Sequence, residues 1–409
     1  MTDRWDVVVV GAGPAGATTA LLLARAGASV LLLDRGRFPR DKPCSEYPSP
    51  GTTPILARLG GGILGAVERA AHAKLYGMKV VAPGGAAMCG RFVESTRPYS
   101  FALPRTSFDT ILLSAAQREG AHVCEATTVE NLMWEKGAVA GVVAHSCNGQ
   151  RVTCNARIVV GADGLRSVVA RRLGLIRSSP PRRVAFTAHV ADVAGMDGVG
   201  ELHVSKRGYV GLGPVGDGVT TVALVVPLAA VRRSRSEGRD FRRDFFAELE
   251  RFPGLAGRFD PRRMVRDVLA TGPFAQWSRT AVAPGGGALL VGDAADFFDP
   301  FTGQGIYSAM RGAELAAACL IPALARGVSE PIPTAALRPY VLARRREFLG
   351  KWLLERLIGV GVGWPALTDR VVHRLAARPD LADLLVSATG NIVPARRVLR
   401  ASVLAQFLW

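Results

Sequence analysis

The stretch VVVVGAGPAGATTALLLARAGASVLLLD, residues 7–34, decides the fold of this chain. A β-branched run comes first, an Ala- and Leu-rich segment of helical character follows, and a second apolar run ends at Asp34. This pattern predicts a strand, a helix that ends at Gly27, and a second strand parallel to the first. The sequence therefore predicts an α/β fold built on a parallel sheet.

Three glycines stand between the first strand and the helix. Gly11 permits a tight turn, Gly13 lets the backbone approach a pyrophosphate, and Gly16 lets the helix pack on the strand. The first helical turn, which holds Ala15, offers free N–H groups and a favourable dipole to phosphates. Asp34 follows Gly16 by 18 residues, close to the spacing of a carboxylate that bonds ribose hydroxyls. We therefore predict a dinucleotide site; a purely structural turn in an unrelated α/β fold is the alternative.

Composition narrows the class of protein. With 409 residues, 49% of them hydrophobic, the chain can bury two sizeable cores. Its six cysteines lack the spacing of a zinc site or a disulfide framework. No charged-then-apolar leader precedes Trp5, so we expect a cytoplasmic protein with reduced thiols. The net charge of +17 suits nucleic acid, an anionic membrane surface or an acidic cofactor, but no nucleic-acid module is present and we expect no such partner.

Two later motifs decide which dinucleotide is bound. GADGLRS, residues 161–167, follows a strand predicted over 152–160, and GDAADFFDPFTGQGI, residues 292–306, follows an apolar run. With the first glycine motif, and in the same order, they resemble the flavoprotein superfamily that contains para-hydroxybenzoate hydroxylase, the geranylgeranyl reductases and the flavin-dependent halogenases. The resemblance spans most of the chain and implies FAD as the cofactor. It also implies a Rossmann-type FAD-binding domain interleaved with an antiparallel-sheet substrate domain, plus C-terminal helices.

The resemblance assigns three further residues to the cofactor. Asp163 would hold the first and second segments of the FAD-binding domain together; without the resemblance, its alternative role is that of an ordinary turn aspartate. Arg105 belongs to an Arg-x-x-Phe-Asp motif at a helix predicted over 106–119, and it would bind FAD, with Asp109 holding the local structure. Val129 lies where the family presents backbone to the adenine.

The third motif also has a physical interpretation. Asp293 is placed to accept a hydrogen bond from a ribityl hydroxyl, with a helix N-cap as the alternative role. Gly303 and Gly305 permit close backbone approach, and a helix is predicted to begin near Ile306. The dipole at its N-terminus would stabilise negative charge on the reduced flavin ring.

Two segments resemble the substrate pocket of the geranylgeranyl-reductase-like branch. FPRDKPCSEYPSPG, residues 38–51, is similar to its Lys-x-Cys-Gly-Glu segment with Ser45 in place of Gly, and we expect Cys44 to line the pocket. GYVGLGPVGDG, residues 208–218, is similar to its Tyr-x-Trp-x-Phe-Pro segment, which Tyr209 matches.

Gly211 and Gly213 stand where that segment has Trp and Phe. The absence of these two aromatic rings should enlarge the pocket or make room for a planar substrate. Pro300 and Phe301 are also expected to line the pocket. The halogenases' Trp-x-Trp-x-Ile-Pro motif is absent, so halogenation is not expected.

The predicted FAD-binding domain comprises residues 1–75, 100–180 and 279–336 and the substrate domain 76–99 and 181–278, with strands over 184–193, 201–212 and 218–226. Residues 337–409 form a helical region with 12 Lys and Arg against five acids. This region would act either as a helical lid on the sheet domain, which is favoured, or as a peripheral contact with anionic lipid.

Three functions remain open. The leading hypothesis is an FAD-dependent monooxygenase in which NAD(P)H, bound transiently, reduces the flavin and oxygen is transferred to a small hydrophobic, phenolic or polyketide-like substrate. The alternatives are a flavin-dependent reductase of isoprenoid carbon–carbon double bonds and a non-catalytic flavin-binding protein. No histidine lies in a catalytic motif, and the catalytic residues and the oligomeric state stay open.

Overall fold

The computed structural model describes residues 4–178, 182–233, 241–327 and 330–408. Its strands are β1 (Trp5–Val10), β2 (Val30–Leu33), β3 (Ala73–Leu75), β4 (Gly77–Val81), β5 (Ala87–Arg91), β6 (Ser100–Ala102), β7 (His122–Cys124), β8 (Thr128–Glu135), β9 (Ala138–His145), β10 (Arg151–Gly161), β11 (Ile176–Ser178), β12 (Arg183–Ala191), β13 (Gly200–Ser205), β14 (Gly208–Gly216), β15 (Val219–Pro227), β16 (Met264–Thr271), β17 (Gln276–Ser278), β18 (Ala288–Leu290) and β19 (Asp296–Phe297). The helices are α1 (Pro14–Arg25), α2 (Thr52–Leu59), α3 (Ile63–Arg69), α4 (Arg105–Arg118), α5 (Val168–Arg172), α6 (Leu228–Arg233), α7 (Phe241–Leu249), α8 (Gly305–Leu324), α9 (Thr334–Val362), α10 (Pro365–Ala376), α11 (Pro379–Thr389) and α12 (Ala401–Leu408).

The first sheet carries the three sequence motifs at one edge. Its strand order is β7-β2-β1-β10-β9-β8, with β18 paired to β10, and β1 is parallel to both β2 and β10. Val10 lies opposite Gly161, which lies opposite Leu290, so β1, β10 and β18 end in register. Each motif begins where its strand ends, and parallel strands present their carboxyl ends at the same edge. The predicted parallel pairing is confirmed for these strands, whereas β9 and β8 extend the sheet in antiparallel fashion. The parallel part brings together three stretches that are distant in sequence.

The second sheet is almost entirely antiparallel and has the order β16-β12-β15-β14-β13-β4-β5. The single strand predicted over 201–212 is wrong, because Glu201 pairs with Leu212 and Ser205 with Gly208 across a hairpin. Two polar residues, Lys206 and Arg207, form the turn that breaks the apolar run. The mixed α/β fold predicted from the sequence is otherwise confirmed, while the predicted boundary at 180 and 181 falls outside the described residues.

The two faces of the second sheet have different partners. One face is covered by α7, whose Phe245, Phe246 and Leu249 pack on Val210 and Leu224 of the strands. The opposite face turns toward the motif-bearing edge of the first sheet and toward α9. Among the described residues no helix is both long enough and apolar enough to cross a membrane. The second sheet therefore has one closed face and one face available for a site.

A cluster of ion pairs lies on the covered face of the second sheet and consists of Glu201, His203 and Arg258. The Glu201 carboxylate lies 2.7 Å from His203 Nε2 and 2.6 Å from Arg258 Nη1, and its side chain is only 1% exposed. Burial alone would raise the pKa of Glu201, but the bonds from His203 and Arg258 lower that pKa from 4.5 to about 2. Since the folded-state pKa lies below the unfolded one, Glu201 stabilises the fold above pH 4.5 and this stabilisation is lost as the pH falls toward 2.

We expect Glu201→Gln to lower the free energy of unfolding at neutral pH by on the order of 2 kcal/mol. The difference from the wild type should shrink as the pH falls through the same window, because the wild-type carboxylate then takes up a proton. Urea unfolding of both proteins across this pH range measures the effect. Asp380→Asn, at an exposed carboxylate, is the control and should behave like the wild type; a Glu201→Gln difference that is independent of pH would contradict the assignment.

Candidate functional site

The first glycine motif forms a turn that only glycine permits. Gly11 has φ +97°, and a Cβ there would lie 2.6 Å from the carbonyl oxygen of Ala162. A Cβ on Gly16 would lie 1.8 Å from the carbonyl oxygen of Gly11, so the start of α1 touches the turn directly. These two glycines lie beneath the loop and do not line the cavity described below.

Gly13 has a different environment. It precedes the first residue of α1, and a Cβ there would meet only guanidinium nitrogens, Arg40 Nη2 at 3.6 Å and Arg105 Nη2 at 3.8 Å. Two cations therefore face the open side of the loop at the N-terminus of a helix. This arrangement is suited to a phosphate or pyrophosphate.

Asp34 fixes the loop from its other side. Its Oδ2 accepts a hydrogen bond from the Ala12 N–H at 2.7 Å, and its Oδ1 accepts one from the Gly36 N–H at 2.8 Å. Val129 is buried in β8 and pairs with Ala144. Neither Asp34 nor Val129 lines the cavity, and their roles toward a ribose and an adenine stay predictions.

One large cavity lies between the motif-bearing edge of the first sheet, the open face of the second sheet and α9. It encloses about 1880 Å³ free of protein atoms, a volume that includes the open space at its mouth. Most of the residues that the sequence singled out line it: Gly13, Ala15, Cys44, Arg105, Tyr209, Gly211, Gly213, Asp293, Pro300, Phe301, Gly303, Gly305 and Ile306. The cavity therefore brings residues of all three sequence motifs and of the second sheet to one space.

The floor of the cavity is rich in buried charge. Arg105 donates to both carboxylate oxygens of Asp109, at 2.7 and 2.6 Å, and Arg40 lies 3.5 Å from the same carboxylate. Lys42, which the sequence analysis did not assign, lines the cavity nearby, and burial and then the charge of Arg105 lower the pKa of its ammonium group. Burial raises the pKa of Asp293, although the positive charges of Lys42 and Arg105 oppose this. Three basic side chains thus converge on this floor. The two arginines share the Asp109 carboxylate, and Arg40 also lies 3.6 Å from the carboxylate of Asp34.

Two buried acceptors near the floor have no hydrogen-bond partner within the described chain. One oxygen of Asp163 accepts from the Val168 N–H at 2.6 Å and caps α5, whereas Asp163 Oδ1 is buried without a hydrogen bond. Gln304 Oε1, immediately before α8, is in the same situation. A buried acceptor without a donor is unfavourable unless a bound group supplies one.

These features fit FAD. Arg40, Lys42 and Arg105 would hold the pyrophosphate, Asp293 would accept from a ribityl hydroxyl, and the first amides of α8 at Gly305 would face the flavin ring. When bound, FAD supplies hydride and electron transfer that no side chain of the protein provides.

Glu46 joins the two halves of the site, and sequence reasoning missed it. It is buried at φ +55°, and its carboxylate accepts from the Arg105 N–H at 2.9 Å and from the Thr221 hydroxyl at 2.5 Å, with His189 Nε2 also at 2.5 Å. Arg105 begins α4, whereas Thr221 and His189 belong to the second sheet. The Glu of the Lys-x-Cys-Gly-Glu segment was the signal available in the sequence. Glu46 thereby fixes the Cys44 segment between the two sheets.

The predicted pocket residue Tyr209 is held rigidly. Its hydroxyl donates to Asp299 Oδ1 at 2.5 Å, and Arg183 Nη1 bonds the other oxygen of Asp299 at 2.6 Å. The ring packs edge-on against Phe301, with centroids 5.0 Å apart. Burial first, and then the neighbouring carboxylate, raise the pKa of Tyr209 well above its ordinary value. Tyr209 therefore stays protonated and anchors the wall of the cavity.

Comparison with known proteins identifies the family. A model of the FAD binding domain matches residues 4–335. The chain belongs to this FAD-binding family. The resemblance noted in the sequence is thus confirmed, and with it FAD as the family's cofactor.

Relatives of this FAD-binding protein support a redox activity. It is 30% identical over 408 residues to menaquinone reductase of Mycolicibacterium smegmatis, which covers 96% of this chain and 93% of that protein. It is 28% identical over 383 residues to digeranylgeranylglycerophospholipid reductase of Methanoculleus marisnigri, covering 92% and 90%. Conditioned medium factor receptor 1 of Dictyostelium discoideum is 30% identical over 343 residues, and this chain spans only 64% of its length.

A solved structure agrees over nearly the whole fold. The flavoprotein/dehydrogenase from Cytophaga hutchinsonii superimposes with a TM-score of 0.83 over 98% of this chain and 96% of that one, at 21% identity. At that identity the likeness concerns the fold alone. Taken together, the family match and the relatives make this chain an FAD-dependent oxidoreductase.

Proposed function

We propose that the protein uses FAD to reduce a carbon–carbon double bond in the isoprenoid chain of a lipid-soluble substrate. The observation that carries this proposal is the continuity of the cavity. Its floor, formed by basic side chains beside the glycine loop, leads into an apolar chamber on the second sheet. The named relatives act on menaquinone and on a geranylgeranylated phospholipid, both of which carry isoprenoid chains. Their names favour reduction over the hydroxylation that the sequence alone led us to prefer.

The chamber suits a long apolar chain. Leu202, Ala223 and Val225 of the second sheet line one wall, and Phe297 and Trp352 face the cavity from other elements. Gly211 and Gly213 of β14 place no side chain in the chamber, and Cβ atoms at these two positions would meet neighbours only at 3.6 Å or more. In this proposal the apolar wall orients the chain and keeps water from the reacting carbons.

Product analysis separates reduction from hydroxylation. The holoprotein is incubated with a menaquinone or a geranylgeranyl lipid in detergent, with NAD(P)H or dithionite as reductant, in the presence and in the absence of oxygen. We expect a product that has gained two hydrogen atoms in its isoprenoid chain, measured after the quinone ring has been reoxidised in air, and formed equally well without oxygen during the reaction. A product that has gained an oxygen atom, and forms only in air, would contradict reduction and support the monooxygenase. Absence of turnover with any reductant and lipid would favour the non-catalytic alternative.

A further inference from the structure

The outer face of α9 carries an exposed apolar stripe. Its members are 45% to 65% exposed, and they recur every three, four or seven residues: Leu342, Leu349, Leu353, Leu357, Val360 and, just beyond the helix end, Trp364. That spacing places them on one side of a helix. In the described part of the chain nothing buries this stripe, and so long a run of large apolar side chains marks an interaction surface.

The charges on the same face are all positive. The exposed charged residues of α9 are Arg338, Arg345, Arg346 and Arg356. Both acids of the helix are engaged elsewhere. Glu347 bonds Tyr307 and Arg311 of α8, and Glu355 bonds Lys351 and Thr302. The outer face thus combines leucines with arginines and shows no exposed carboxylate.

The inner face of α9 closes the cavity. Phe348, Lys351 and Trp352 line the cavity, as does Arg344, which forms an ion pair with Asp296 and lies 5.2 Å from the Trp352 ring centroid. One helix therefore roofs the chamber on one side and presents the apolar stripe to the outside on the other. The stripe lies one helix diameter from the chamber.

We propose that the outer face of α9 docks on an anionic lipid bilayer, with its leucines in the interface and its arginines against the headgroups. An amphipathic helix with this composition lies in the plane of a membrane surface, and each arginine adds attraction to anionic lipid. A second copy of the chain fits the face less well, since a symmetric pairing would set arginines against arginines without a carboxylate between them. The biological use of this surface, delivery of a lipid-soluble substrate, rests on the proposed function; the docking itself does not.

Vesicle sedimentation of the full-length holoprotein tests the docking. We expect binding to vesicles of phosphatidylcholine with phosphatidylglycerol, and much weaker binding to phosphatidylcholine alone. Leu349→Ser with Leu353→Ser, and separately Arg345→Gln with Arg346→Gln, should each weaken binding to the anionic vesicles by at least about tenfold. Trp134→Ser with Val265→Ser, at exposed apolar residues of β8 and β16, is the matched control and should bind like the wild type. Bound flavin, read from absorbance, shows that each variant is folded.

Three outcomes would overturn the proposal. They are a wild-type protein that stays in the supernatant at low salt, stripe variants that bind as well as the control, and a dimer in solution that only the stripe variants dissociate. The last result would identify the face as an interface between copies. Activity on detergent-dispersed lipid is measured in parallel and should be unchanged in the α9 variants. Vesicle binding without any lipid reduction would contradict the proposed function but would still support the docking proposal.

Discussion

Replacing Gly13 by Ala is expected to weaken FAD binding at least about a hundredfold while leaving the FAD-free protein as stable as the wild type. The added methyl group would meet only the ends of two flexible arginine side chains, so the fold can accept it. It would occupy the space in which the backbone approaches the pyrophosphate, and a loss of about 3 kcal/mol of binding free energy follows from the lost contacts. Titration with FAD and urea unfolding of the FAD-free protein measure the two quantities separately.

Gly16→Ala is the contrasting variant. Its methyl group would lie 1.8 Å from a backbone oxygen that cannot move away without unmaking the turn, so the FAD-free protein itself should lose stability. Gly359→Ala on α9, where nothing lies within 4 Å of the added atom, is the control for an added methyl group without a clash; it should bind FAD like the wild type and lose no stability. If Gly13→Ala binds FAD as tightly as the wild type, the pyrophosphate does not bind at this loop.

Replacing Gly211 by Trp is expected to reduce kcat/KM for an isoprenoid lipid at least about a hundredfold with FAD still bound. A Cβ at this position is tolerated, 3.6 Å from Leu202 and 4.0 Å from Ala223, but an indole attached to it must extend into the chamber. It would fill the volume that the proposed chain occupies. Steady-state kinetics and the flavin spectrum of the same preparation measure both effects.

Val265→Trp serves as the control because it adds the same ring to an exposed position of the same sheet. We expect wild-type kinetics from it. Full activity of Gly211→Trp on a long isoprenoid substrate would mean that the substrate does not lie along β14, and the proposed chamber would then be wrong.

Local sequence signals predicted the parts of the fold that depend on neighbours in the chain. The turn at Gly11, the helix that follows it and the strand that ends at Asp34 are fixed by short-range backbone geometry, and all three are present. The three motifs meet because three parallel strands end in register. The order of the motifs along the chain, which resembles that of the flavoprotein family, already indicated that they would meet. A hairpin turn at Lys206 was missed because apolar residues continue on both sides of it.

The remaining parts of the site depend on contacts between distant residues. Glu46 bonds partners 59, 143 and 175 residues away, and nothing in its own neighbourhood shows that three elements converge there. The roof of the cavity comes from Phe348 and Trp352, whose sequence context reads as an ordinary amphipathic helix. The preference for hydroxylation rested on the small residues of β14, which enlarge a chamber without specifying the reaction inside it.

The central claim is that three separated stretches of this chain fold together around one FAD. The absorption spectrum of the purified protein, followed by titration of the FAD-free form, tests it most directly. We predict a yellow protein that binds one FAD per chain and loses this binding in Gly13→Ala while remaining folded. A folded wild-type protein that is colourless and does not take up added FAD would contradict the account.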